Sequence, residues 1–183
     1  MSEKPRLLGN RIVAQSRLFR IEAVELEFAN GNRVEYERLV GSGRGAVLIV
    51  PLLNPQTVLL IREYAAGSDR HELGLPKGKI EAEEDILEAA NREIKEEIGY
   101  GSRSLKRLTE LSIAPGYMSH RTHIVLAEDL YPERWPGDEP EEIEVVPWPL
   151  NAIDTLVARD DFTEARSLAA LYLVREHLSR KPS

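Results

Sequence analysis

The chain has no cysteine, which excludes disulfide staples, thiolate-held zinc and a thiol nucleophile, and which suits a reducing compartment. It has no surplus of positive charge either. With 24 Lys and Arg against 31 Asp and Glu, the net charge is −7, the wrong sign for sequence-independent grip on a nucleic-acid backbone. Long apolar runs are also missing, since nothing approaches the roughly 18 consecutive apolar residues that a membrane span needs. The opening residues MSEKPRLLGN carry no apolar signal core. A cytoplasmic protein with neither a membrane nor a nucleic-acid partner is therefore expected. There are no repeats and no low-complexity linkers, and 183 residues suffice for one domain that buries about 70% of its unfolded surface.

What is present begins with alternation. Residues 11–16 and 19–28 read as strands, the second with Val24, Leu26 and Phe28 at period two, and Asn30-Gly31 turns the chain into 33–39, where Val34 and Tyr36 alternate again. After a Gly-rich link at 41–45, the apolar runs 46–52 and 57–64 read as buried strands. Further on, 105–113 and 122–127 are predicted strands and 151–158 and 163–180 predicted helices. The second of these helices carries Leu168, Leu171, Tyr172 and Leu178 on one face. The acidic, proline-containing stretch 131–149 is the best loop candidate. The order of strands, helix, strands and helices suits an α/β fold in which mixed sheets lie between helices.

The most informative segment is 78–100. Ile86, Leu87, Ala90, Ile94 and Ile98 form an apolar stripe at helical spacing. Asp85 and Glu88 make a capping box at its start, and Gly99 stands where a left-handed C-cap is wanted. Glu93, Glu96 and Glu97 fall within a roughly 100° arc of that helix. Two carboxylates about 4 Å apart repel by roughly 4 kcal/mol at an effective dielectric near 20, so the crowding calls for a bound cation. An all-carboxylate donor set favours a hard one such as Mg²⁺, bridging the acids to phosphate oxygens. Arg92 is placed to orient a carboxylate, reaching Glu96 one turn on and Glu84 behind the helix start. In the preceding residues 75–79, Lys77 and Lys79 offer positive charge to phosphate, and Gly78 lets backbone approach a ligand.

Taken whole, Gly78, five residues, Glu84, seven residues, Arg92-Glu93-Ile94-Lys95-Glu96-Glu97-Ile98-Gly99-Tyr100 resembles the Nudix box. Every fixed polar and glycine position is matched, and only Tyr100 departs, aromatic where an aliphatic residue is usual. The resemblance implies a Nudix fold over 45–183, preceded by an antiparallel β extension over 1–44 that in the ADP-ribose pyrophosphatase branch helps build a homodimer. It implies Glu93, Glu96 and Glu97 as metal ligands with a contribution from Gly78, Arg92 and Glu84 behind them, and Mg²⁺ as cofactor with Mn²⁺ a possible substitute. A general base from a later loop is also implied. Aligning Glu144-Val145 with that loop points to Glu141, with Glu139 and Glu142 left open.

The substrate cues are mixed. Pro115 lies sixteen residues after Gly99, a position associated with ADP-ribose enzymes. Tyr117 and the Pro76-Lys77-Gly78 run resemble dinucleoside polyphosphate hydrolases. Together with residues 62–67, the His-Glu-Leu-Gly at 71–74 and the stretch 129–140, these features resemble Nudix hydrolases of ADP compounds. The implied reaction is Mg-dependent cleavage of the pyrophosphate in ADP-ribose, NADH and diadenosine polyphosphates, releasing AMP. Arg62, Lys77, Glu72 and Pro115 are the substrate-binding candidates. The alternatives are a nucleoside triphosphate pyrophosphohydrolase and a non-catalytic Nudix module for nucleotide sensing or protein binding. An isomerase of the same fold would need a cysteine.

Overall fold

The computed structural model describes residues 3–41 and 43–180; Ser42, inside the predicted Gly-rich link, lies outside the described residues. The chain divides into two compact units. One runs up to Gly45 and includes Ser112–Arg121, and the other comprises Ala46–Leu111 and the chain from Thr122 onward.

In the first unit, β1 (Arg6–Gln15), β2 (Arg20–Glu27) and β3 (Arg33–Leu39) form an antiparallel sheet in that order. The β2–β3 turn forms where Asn30-Gly31 predicts it. Gly31 adopts φ +81°, and the Asn30 carboxamide oxygen accepts the Asn32 N–H at 3.1 Å. β1 starts well before the predicted residue 11. Its early half is held by polar pairing that apolar periodicity does not reveal, with Arg6 opposite Glu27 in register and ion-paired to it.

The second unit is built on a seven-stranded mixed sheet of order β10-β5-β4-β9-β8, with β6 added to β5 and β7 to β4. The strands are β4 (Ala46–Asn54), β5 (Thr57–Ala65), β6 (Arg70–Gly74), β7 (Lys77–Lys79), β8 (Tyr100–Ser112), β9 (Arg121–Pro132) and β10 (Glu144–Pro149). β4 and β9 run parallel, Leu48 opposite Ile124, whereas β5 pairs antiparallel with β4, β6 and β10. Successive β4 side chains serve opposite faces. Val47 and Ile49 pack with Ala90 and Ile94 of helix α1 (Ile86–Glu97) and with its C-cap residue Ile98. Leu48 and Val50 pack with Ile153 and Leu156 of α2 (Ile153–Val157) and with Leu171 and Val174 of α3 (Ala165–Ser179). Both faces are therefore buried, which is why β4 and β5 read as continuous apolar runs. Each fully buried Leu or Ile contributes roughly 1.5–3 kcal/mol. The mixed sheet between helices agrees with the expected fold class.

The expected loop over 131–149 is corrected at both ends. β9 continues to Pro132, and Glu144–Pro149 is strand β10, paired along its length with β5. Pro147 and Pro149 disguise it, but an edge strand tolerates proline because half of its N–H groups have no neighbouring strand to serve. The predicted helix at 151–158 is a 3₁₀ turn, Leu150–Ala152, followed by the short α2. Among the described residues, no helix is long and apolar enough to cross a membrane.

Candidate active site

The α1 helix is set by its caps. The Asp85 carboxylate accepts the Leu87 N–H at 2.8 Å and the Asp85 N–H donates to Glu88 at 3.1 Å, completing the capping box, while Gly99 takes φ +73° beyond the last turn. With Ala89, Ala90 and Ile94 driven into the core, Glu93 and Glu97 are carried to its border and are themselves buried, at 8% and 3% exposure. β7 pairs with β4, Gly78 opposite Val47, and this brings Gly78 directly behind the Glu93 carboxylate. A β-carbon on Gly78 would sit 1.9 Å from Glu93 Oε1, so only glycine leaves room for the acid.

Arg92 organises the acids. Its Nε donates to Glu84 Oε1 at 2.8 Å, Nη1 to Glu93 at 2.8 Å and Glu96 at 3.0 Å, and Nη2 to the Lys79 carbonyl at 2.9 Å and Glu84 Oε2 at 3.1 Å. Five donors in a planar fork make this possible, as they would not be in lysine. Glu97 accepts the Lys77 N–H at 2.9 Å. The Lys77 ammonium, ion-paired with Glu63, is largely desolvated, and its pKa is lowered by that burial. Burial also pushes the Glu93 carboxyl up to about 7 against the opposing pull of Arg92, and it raises Glu97 against the pull of Lys77.

These groups line one cavity of about 630 Å³, within the range of about 300–1,000 Å³ usual for small-molecule sites. Of the sequence-predicted residues, the structure gathers Lys77, Gly78, Arg92, Glu93, Glu96 and Glu97 on its walls, with Glu84 behind Arg92. Glu139, left open in the sequence, lines the same cavity and adds a further carboxylate, whereas Glu141 lines an adjoining cavity that shares Glu96 and Glu97. There Glu141 meets His71, Oε1 to Nε2 at 2.8 Å.

Three candidates are not among the residues that line this cavity. Arg62 on β5 pairs with Glu144 at 2.9 Å and Asp161 at 2.7 Å. Glu72 is buried against Arg70 and Thr163. Pro115 belongs to the first unit and lines that unit's own cavity beside Val24, Tyr36 and Tyr117. Glu63 and Glu81 also border the acidic cavity; no spacing in the sequence distinguishes them from surface acids.

Among the described residues, no three acids or histidines are drawn together tightly enough to form a ready metal cage. Glu93 and Glu96 reach for Arg92, and Glu97 for the Lys77 amide. The donor set nevertheless suits a hard divalent cation. It is purely oxygen, and two of its carboxylates are charged only at the cost of their own desolvation.

Comparison with known proteins agrees with this geometry. Residues 43–171 match the NUDIX domain, and residues 5–38 match the NudE-type Nudix hydrolase N-terminal domain. The chain is 51% identical to ADP compounds hydrolase NudE of Escherichia coli (strain K12), over 96% of this chain and 94% of that one. It is 26% identical to ADP-ribose pyrophosphatase of Bacillus subtilis (strain 168), over 91% and 93%. A crystal structure of an ADP compounds hydrolase superposes with a TM-score of 0.91 at 50% identity, covering 98% of this chain and 96% of that one. With the box complete and family models matching on both sides of the Gly-rich link, the chain belongs to the Nudix hydrolase family.

Proposed function

We propose that the protein hydrolyses the pyrophosphate bond of ADP-containing nucleotides (ADP-ribose, NADH and diadenosine polyphosphates) and releases AMP, with Mg²⁺ held by Glu93, Glu96 and Glu97. The observation that carries this reading is the convergence of Glu93, Glu96, Glu97 and Glu139 on one cavity, where Arg92 and Lys77 are already engaged by acids and Lys79 is the one further cation on the wall among the described residues. Such a surplus of carboxylate is costly without a bound cation. The similarity to a relative and to a solved structure that both carry the name ADP compounds hydrolase supports the choice of substrate.

When bound, the cation neutralises phosphate oxygens and lowers the pKa of a coordinated water. The protein's own groups do the rest. Arg92 fixes the orientation of Glu93 and Glu96, Gly78 leaves the space that Glu93 occupies, and the Lys77 amide orients Glu97. In this reading Glu139, which lines the same cavity, takes the proton of the attacking water. As the water oxygen bonds to phosphorus, the bridging oxygen departs on the other phosphate, so ADP-ribose and water give AMP and ribose 5-phosphate. Glu141 is the second candidate for the base, because it borders the same acids.

Mn²⁺ has the same ligand preference and is a possible substitute. A cytoplasmic homodimer is part of this reading, supported by apolar side chains exposed on the first unit, among them Leu7, Ile12, Leu18 and Phe19. Product analysis with ADP-ribose, NADH, diadenosine triphosphate and dGTP tests the substrate class. AMP from the first two with no dGMP from dGTP supports it, and comparable turnover of dGTP favours the triphosphate pyrophosphohydrolase instead.

A further inference from the structure

The chain between β9 and β10 approaches the acidic cavity in an unusual way. From Arg134 to Glu142 every residue is exposed except Glu139, which is half-buried on the wall of the cavity that Glu93, Glu96 and Glu97 also line. Left free, an acid in that position would swing out to water, because like charges repel most strongly where the local dielectric is low. The segment has no strand or helix of its own to prevent this.

It is tied at both ends. At the entry, the Trp135 N–H donates to the Lys95 carbonyl at 3.0 Å and the Glu133 N–H to the Gly99 carbonyl at 3.0 Å. The first of these bonds satisfies one of the four orphan carbonyls at the C-terminus of α1. The side chains repeat the connection. Lys95 Nζ bonds Glu133 at 2.9 Å and lies 4.3 Å from the centre of the Trp135 ring, whose Nε1–H donates to Glu133 at 3.1 Å. The helix that presents the box acids thus also holds the start of the loop. At the exit, Glu141 meets His71 on β6 at 2.8 Å, the imidazole stands edge-on to Tyr64, and Ile143 is buried in the core beneath α1. Only residues 136–140 are left between the ties, and two of them are proline, which narrows the conformations available.

We propose that Lys95 with Trp135 at one end and His71 with Glu141 at the other are positioning residues, which hold residues 136–140 so that Glu139 faces the box carboxylates despite their repulsion. The inference rests on the hydrolase reading and on Glu139 as base, and it assigns Glu141 a structural bond rather than a proton transfer.

Steady-state kinetics on ADP-ribose with Mg²⁺, paired with calorimetric Mg²⁺ titration, tests it on W135A, W135F, E141A, E141Q and E139Q. A displacement of about 1 Å in a reacting group costs up to about 100-fold. W135A and E141A are accordingly expected to lose about 10- to 100-fold in kcat, with KM and Mg²⁺ affinity close to those of the parent protein. Phe keeps an aromatic face for Lys95, and Gln keeps an oxygen for His71, so W135F and E141Q recover most of the loss. If E141Q is as inactive as E141A, the carboxylate itself is needed and the inference is overturned. Full kcat in both W135A and E141A overturns it as well. E139Q separates the two levels: an active E139Q removes the base assignment beneath the inference, whereas an inactive E139Q beside fully active W135A and E141A removes the anchors alone.

Discussion

Gly78 and Glu93 occupy space that only a glycine can share with a carboxylate: a β-carbon at position 78 would lie 1.9 Å from Oε1 and 2.0 Å from the carboxyl carbon of Glu93. The clash is with the far end of a flexible side chain, so the chain can relieve it without moving backbone. Gly78→Ala is therefore expected to cost no more than about 1 kcal/mol of stability. Moving Glu93 breaks its 2.8 Å bond with Arg92 and, on the proposed function, displaces an oxygen that would hold the cation, so turnover is expected to fall by about 100-fold. Urea unfolding and AMP release measured side by side distinguish this from general damage. A variant that keeps full turnover would show that the placement of Glu93 is immaterial.

Glu97→Gln separates charge from packing. The carboxamide still offers an oxygen to the Lys77 N–H, now 2.9 Å from Glu97, and it removes a carboxylate whose pKa burial has raised. In cation-free buffer the unfolding free energy should stay within about 1 kcal/mol of the parent protein, while turnover drops by at least about 100-fold. A folded variant with undiminished turnover would remove Glu97 from the site.

Arg92→Lys keeps the charge and loses the fork. Three ammonium hydrogens cannot replace five hydrogen bonds spread over Glu84, Glu93, Glu96 and the Lys79 carbonyl. A loss of about 1–3 kcal/mol in chemical denaturation is expected from charged groups left under-bonded. Equal midpoints for the two proteins would mean that the network contributes nothing to the fold.

Acid stability is expected to depend on Asp161. Arg159 donates to it from Nε and Nη2, both at 2.8 Å, and Arg62 from Nη1 at 2.7 Å; the bonds to these guanidinium groups hold its carboxyl well below the usual range. A carboxyl depressed in the folded state stabilises above its unfolded pKa, near about 3.9, and that contribution is lost as pH falls through the folded value. Asp161→Asn should thus be less stable than the parent at pH 7, by about 1 kcal/mol given its partial exposure, with the gap narrowing below about pH 4. Denaturant midpoints across that range check it. A gap that widens in acid would contradict the assignment.

The box was legible because its chemistry and its helix share one spacing: the same 3.6-residue period that buries Ala90 and Ile94 sets Glu93, Glu96 and Glu97 along one border. The same holds for the Asn30-Gly31 hairpin and for β4 and β5, where a local pattern reports a local structure. Elements defined by a distant partner were not legible. β10 contains two prolines, and its pairing with β5 spans a long stretch of chain. β6 and β7 are short, and β1 begins with charged residues matched across the hairpin. The loop acids illustrate the same limit. In the order Glu139-Pro140-Glu141-Glu142, nothing local reveals that one faces the cavity while another bonds His71. Arg62 is similar, its partners being Glu144 and the still more distant Asp161.

The central claim is that the three box acids hold a divalent cation against a pyrophosphate. Its most direct test is calorimetric titration of the cation-free protein with Mg²⁺, alone and with a non-hydrolysable ADP-ribose analogue, for the parent and for Glu97→Gln. Saturable Mg²⁺ uptake by the parent, tightened by the analogue and weakened at least about tenfold by the substitution, is the predicted result. No uptake by the folded parent protein, with or without the analogue, would contradict the account.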